Sequence, residues 1–309
     1  MPDNDKPAIA VIGNYAVGMT IECERFPRPG ETVKGRNFNS FHGGKGSNQA
    51  IGAARLGGRV AYGAMLGMDK FGDEALAMLK GEGIDVSFVK RTDKTSTGVG
   101  LIYVDAGGDN EIVIGLGGSE LISPADIREM RDAVAGSKIL LLQLEANLDA
   151  VAEAIAMAHE LGVPVILNPA PFSPFPDESV RKTTYITPNE TEATAMLGLD
   201  DVPEGRELAH RLHGKFGVAA IVTLGDKGAY IKTADIDQAV PGIAVETVDS
   251  TGAGDTFSSA LAVALAEGKG LVDAVRFANH AAGLSVTVKG VVESIPYRKQ
   301  VDDLVAVGK

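Results

Sequence analysis

Lys138-Ile139-Leu140-Leu141-Leu142, then Asp149 to Leu161, then Val163-Pro164-Val165-Ile166-Leu167, places a segment with helical apolar spacing between two short apolar runs. Runs of this length without polar alternation read as strands buried on both faces, and a helix between them predicts a right-handed crossover in a parallel sheet. Toward the C-terminus the alternation continues with strand 184–186, helices 190–197 and 204–215, strand 219–223, hairpin strand 229–232, and helices after Gly252 and Gly270. Toward the N-terminus it continues with helix 123–134 behind a Ser-Pro start, helix 71–80, strand 60–65, a helix after Gly46 that stops at Gly57-Gly58, and strand 8–13. The expected fold class is α/β, a doubly wound, mostly parallel sheet with helices on both faces, formed by residues 1–309 as one domain.

Two stretches break the rhythm. Residues 20–24 and 32–41 are more polar strands around Phe26-Pro27-Arg28-Pro29-Gly30, and 96–105 with 111–116 reads as a hairpin split by Ala106 to Asn110. These segments, near 13–41 and 95–118, are predicted to pair into a small β-sheet lid over the site. A partly apolar face on such a sheet needs a cover, which predicts a homodimer through the lid.

Composition narrows the function. The 309 residues are 45% apolar, enough for a large core, and 41 acidic against 29 basic residues give a net charge of −12. That charge repels nucleic acids and anionic membrane surfaces and favours small-molecule chemistry. Cys23, the single cysteine, cannot form an internal disulfide and reads as packing. Met1 to Pro7 lacks the basic-then-apolar order of a signal peptide, and no apolar run is long enough to span a bilayer. A soluble, cytoplasmic protein is expected.

The chemistry is concentrated in Asp249-Ser250-Thr251-Gly252-Ala253-Gly254-Asp255, a glycine-rich turn that runs into an apolar-periodic helix. The first N–H groups of a helix have no internal partner, and Gly252, Ala253 and Gly254 leave them open to a phosphate. Asp255 falls in the first turn, where it can accept the proton of an attacking hydroxyl while those amides hold the charge of a moving phosphoryl group. A second glycine turn, His42-Gly43-Gly44-Lys45-Gly46-Ser47-Asn48, fails the Walker pattern because Gly46 follows Lys45. It retains a helix start with Lys45 and Asn48 available to hold sugar hydroxyls.

The two turns, in this order and far apart, resemble the paired signatures of the ribokinase-like (PfkB) carbohydrate kinase family. Pro29-Gly30-Glu31-Thr32, Gln143-Leu144-Glu145, Asn168-Pro169-Ala170-Pro171, Thr187 to Glu192 and Thr223-Leu224-Gly225 are similar to ribokinases in the same order. The resemblance implies ATP-dependent phosphorylation of a sugar or polyol, with Asp255 as base and the 252–254 backbone as anion hole. It implies Gly43, Gly44, Lys45, Asn48 and Glu145 on the sugar, and Asn189 and Glu192 near Mg²⁺ and the phosphates. Thr223, Gly225 and Gly228 would line the ATP site, with Asn279 near the adenine. A K⁺ site would be formed by Asp249, Thr251, Ser285, Val288, Gly290 and Ser294.

The chain departs from the family in one place. Ala16 and Gly18 stand where ribokinases show an Asn and an Asp that grip the sugar. Losing the charged acceptor costs on the order of 1.5–3 kcal/mol with ribose, roughly tenfold or more in binding. Either Asn14 or another lid group compensates, or the pocket takes a bulkier or differently hydroxylated acceptor, with Gly18 leaving the room. A nucleoside kinase on the same fold, or a sensor that binds without turnover, are the alternative functions.

Overall fold

The computed structural model describes residues 6–307, so the opening stretch read above lies outside the described residues from 1 to 5. In chain order the strands are β1 (Ala8–Ile12), β2 (Ala16–Cys23), β3 (Gly35–Gly43), β4 (Arg59–Gly67), β5 (Asp85–Thr92), β6 (Gly98–Val104), β7 (Asn110–Gly115), β8 (Ile139–Leu142), β9 (Val165–Leu167), β10 (Tyr185–Ile186), β11 (Ala219–Thr223), β12 (Ala229–Lys232) and β13 (Asp237–Val240). The helices are α1 (Lys45–Arg55), α2 (Lys70–Gly81), α3 (Pro124–Arg128), α4 (Arg131–Ala135), α5 (Leu148–Leu161), α6 (Asp177–Arg181), α7 (Glu190–Leu197), α8 (Gly205–Phe216), α9 (Ala253–Ala266), α10 (Leu271–Ser285) and α11 (Arg298–Val307).

Nine strands form the main sheet in the order β13-β12-β11-β10-β9-β8-β1-β4-β5. All neighbours are parallel from β11 to β5, and β12 and β13 add an antiparallel edge. Alternate residues of β1 feed opposite cores: Ile9 and Val11 pack with α1, α9 and α10, while Ala10 and Ile12 pack with α5 and α8. This is the two-faced burial expected from unbroken apolar strands.

Strand order reverses between β8 and β1, the switch point at which ligands collect beyond the carboxyl ends of the strands in open α/β sheets. Gly13 follows β1, Gln143 and Glu145 follow β8, Asn168 follows β9, and Asn189 follows β10.

The lid segments pair as expected, into a four-stranded sheet of order β3-β2-β6-β7. The central pair, β2 with β6, is parallel. The lid strands differ in extent from the sequence expectation: β2 begins at Ala16 rather than Thr20, and β3 occupies 35–43 rather than 32–41. The helix expected over 123–134 is two short ones, separated at Glu129 and Met130. The sequence reading leaves β5, β13, α6 and α11 unassigned; α6 and β13 are too short to show a period, whereas α11 carries one in Val301, Leu304 and Val305.

Candidate active site

Gly252 takes a left-handed conformation (φ 80°) as N-cap of α9, which turns the chain so that Asp255 enters the first helical turn with only 5% of its surface exposed. A buried carboxylate needs donors, and it has two. Asn48 Nδ2 donates to Asp255 Oδ2 at 2.9 Å and Gln49 Nε2 donates to Asp255 Oδ1 at 2.9 Å. Both donors come from the start of α1, Asn48 in its first turn and Gln49 next to it, so the two glycine motifs meet through this carboxylate. Gln49 also donates to Asn168 Oδ1 at 3.0 Å, and Gln143 Nε2 donates to Gln49 Oε1 at 2.5 Å. Sequence reading did not single out Gln49, and it gave Gln143 and Asn168 no role. An amide within an apparently apolar helical stretch carries no signal until its buried partner is known.

The turn before α1 explains its glycines. A Cβ on Gly46 would lie 2.5 Å from the Asn14 backbone nitrogen, so the larger residue of a Walker motif has no place there. The Gly46 N–H instead donates to Asn14 Oδ1 at 3.0 Å, and the Lys45 N–H donates to Glu145 Oε2 at 3.1 Å. Asn14, Lys45, Asn48 and Glu145 therefore converge beside Asp255. Asn48 Oδ1 is buried and accepts no hydrogen bond, leaving an acceptor available to a substrate hydroxyl.

Burial acts against the charged form of Lys45, but the carboxylates of Asp255, Glu145 and Glu192 outweigh it and hold the ammonium pKa above its ordinary value. Burial pushes the Glu145 carboxyl up, and the charge of Asp255 adds to the shift; Lys45 and Asn14 oppose it. Burial likewise raises Glu192 against the Asn189 N–H that it accepts. Asn189 and Glu192 form a reciprocal capping box at the start of α7. This supplies a structural reason for the pair as well as a position at the site.

Two cavities meet at the α9 turn. A polar one of about 150 Å³ is lined by Lys45, Asn168, Glu192, Gly252 and Asp255, among others. A cleft of about 750 Å³ is lined by Gly225, Gly228, Ile243, Phe257, Asn279 and their neighbours. Asn189, Thr223, Ser250, Ala253 and Gly254 border both. The cleft is large enough for a nucleotide. Gly228 lets two backbone segments meet there, since a Cβ would lie 2.3 Å from Gly242 N and Val240 O. Asn279 Nδ2 donates to the carbonyls of Val240 and Pro241 at 3.0 Å, tying down the same wall.

The model of the pfkB family of carbohydrate kinases matches residues 6–298. The chain belongs to that family. This carbohydrate kinase is 36% identical over 297 residues to the ribokinase of Haemophilus influenzae, covering 96% of this chain and 97% of the other. It is 36% identical over 298 residues to the ribokinase of Bacillus subtilis, covering 96% and 99%. Among solved structures, the ribokinase of Arabidopsis thaliana in complex with ribose and ATP superimposes with a TM-score of 0.88 at 32% identity, covering 97% of the kinase and 99% of that chain.

The kinase also brings together the segments expected to hold a monovalent cation. Asp249 Oδ1 accepts from Thr251 N (3.0 Å) and Oγ1 (2.7 Å), and Asp249 Oδ2 accepts from Gly290 N at 3.1 Å. Ser285 and Ser294 are buried nearby in sequence, and Val288 lies between them. No cluster of three or more His, Cys, Asp or Glu suited to a metal occurs among the described residues. No described helix is long and apolar enough to cross a membrane.

One expectation about the pocket is corrected. Gly18 does not leave room: a Cβ there would lie 2.3 Å from Phe41 Cε2, so the aromatic ring already fills the space.

Proposed function

We propose that the kinase transfers the γ-phosphate of ATP to a hydroxymethyl group of a pentose or closely related sugar or polyol. The observation that carries this reading is the position of Asp255. Its buried carboxylate stands at the meeting point of a nucleotide-sized cleft and a polar pocket, beside amides of a helix N-terminus that border both.

The acceptor lies against Asn14, Gly43, Gly44, Lys45, Asn48 and Glu145, with its hydroxymethyl oxygen toward Asp255. Asp255 takes the hydroxyl proton as the oxygen attacks in line, and the 252–254 amides with Lys45 hold the charge of the passing phosphoryl group. ATP occupies the cleft bordered by Thr223, Gly225, Gly228 and Asn279. Mg²⁺, when bound, neutralises and orients the phosphates. Glu192, a carboxylate facing the polar cavity, and Asn189 suit a cation that keeps several waters. K⁺ held around Asp249, Thr251, Ser285, Val288, Gly290 and Ser294 would fix the loop that carries the anion hole. Closure of the lid would exclude water that competes as acceptor.

The test is ADP release with ATP, Mg²⁺ and K⁺ across pentoses, hexoses, tetritols and nucleosides. A pentose should give the highest kcat/KM, and replacing K⁺ by tetramethylammonium should lower the rate. A nucleoside saturating at the lowest concentration would move the assignment to a nucleoside kinase, and binding without ADP would make it a sensor. Equal rates in the two salts would remove the cation site.

On the face opposite Ile114 the lid presents Leu101 and Val113, a directly paired position, as exposed apolar side chains. A second copy covering them through its own lid accounts for that surface, consistent with a homodimer. Sedimentation at micromolar concentration should give the mass of two chains; a monomer excludes this arrangement. The charge of −12 favours a cytoplasmic enzyme that engages neither nucleic acid nor an anionic membrane surface.

A further inference from the structure

The inner face of the lid offers the acceptor an apolar roof. Strand register places Phe41, Gly18, Gly100 and Ile114 in one row across all four strands, with the row Gly43, Ala16 and Gly98 next to it. Side chains in directly paired positions share a face, and residues two apart along a strand share it too.

The direction of that face follows from its neighbours. Tyr15, Val17 and Met19 pack in one cluster, so Ala16 and Gly18 of β2 turn to the other side, while the side chain of Asn14, just before β2, accepts the Gly46 N–H in the sugar turn. The intervening Val17 and Met19 pack the other way, against Leu66, Phe71 and Ala75 of the main body. The Phe41 row therefore looks over Gly43-Gly44-Lys45.

Neither row contains a polar side chain. The first polar groups on this face, Thr20 and Asn39, are a paired position farther out, about 7 Å along the strands. Phe41 lies across Gly18, while a Cβ on Gly100 would meet nothing within 4 Å. The result is a shallow trough with a backbone floor, walled by an aromatic ring and Ile114. Hydroxyls on the body side of an acceptor find Asn14, Asn48, Glu145 and Asp255. A hydroxyl turned toward the trough loses water and finds no side-chain partner, a loss of roughly tenfold in binding. A carbon-bound hydrogen over the Phe41 ring carries no such penalty and gains contact area.

We infer that the acceptor presents a deoxygenated, carbon-bound edge to the lid, and that Phe41 over Gly18 selects it. The substrate class is a monodeoxy pentose or deoxypolyol in preference to its fully hydroxylated parent. This rests on the sugar-kinase reading above and specifies its substrate.

The test measures kcat/KM from ADP release for D-ribose, 2-deoxy-D-ribose and 3-deoxy-D-ribose, in the wild type, F41A and the double variant G18D/F41A. The aspartate is introduced only with the ring removed, because the ring occupies the space that its side chain needs. In the wild type one of the deoxy sugars should exceed ribose by roughly five- to tenfold. The ratio should shrink in F41A and invert in favour of ribose in G18D/F41A, where a charged acceptor meets the added hydroxyl. Ribose exceeding both deoxy sugars in the wild type overturns the inference alone, whether or not the variants fold. So does an unchanged ratio in a folded F41A. ADP release with none of the sugars tested, pentoses and hexoses alike, would instead overturn the sugar-kinase reading and this inference with it.

Discussion

Replacing Asp255 with Asn is expected to lower kcat by at least ~10²-fold while the KM for the sugar changes little, the magnitude usual for a general acid–base group. The structure adds a second consequence. Both carboxylate oxygens accept amide N–H groups, one from Asn48 and one from Gln49. An Asn side chain carries one oxygen and one NH₂, so whichever way it turns, one donor faces another donor. The variant should therefore also lose about 1–3 kcal/mol of stability, the cost of a buried donor left unmade. Steady-state kinetics and urea unfolding separate the two effects. Near-normal turnover in D255N would remove Asp255 from the role of base.

Gln49→Leu is expected to have the next largest effect. The side chains are similar in volume, so the change removes chemistry rather than packing. Gln49 bridges Asp255, Asn168 and Gln143 within one buried network. Its loss leaves one oxygen of the base and the Asn168 oxygen each without this donor, and takes from the Gln143 amide its acceptor. A half-satisfied buried network costs more than an apolar one, and on the order of 3 kcal/mol of stability should be lost. Turnover should fall roughly tenfold or more, because the base is no longer held from both sides. A purely structural role would lower stability and leave kcat unchanged. A positioning role lowers kcat while the KM for the sugar changes little. A destabilised Q49L with unchanged kcat would reduce Gln49 to a packing residue.

Local sequence settles the parallel core, the two glycine turns and the place of Asp255 at a helix start. Unbroken apolar strands such as Ile139 to Leu142 are local signals of burial on both faces, and a glycine turn entering an apolar helix is legible wherever it occurs. Half-exposed edge strands β5 and β13 alternate too weakly to be seen, and the break between α3 and α4 has no glycine or proline to mark it. Tertiary structure alone decides what surrounds Asp255 and what lies across Gly18. Gln49 reaches Asn168 across 119 positions of chain and Asp255 across 206. Phe41 meets Gly18 only because two antiparallel strands pair in that register. A glycine in the chain announces space; whether the space is empty depends on a ring that register, not local composition, brings across it.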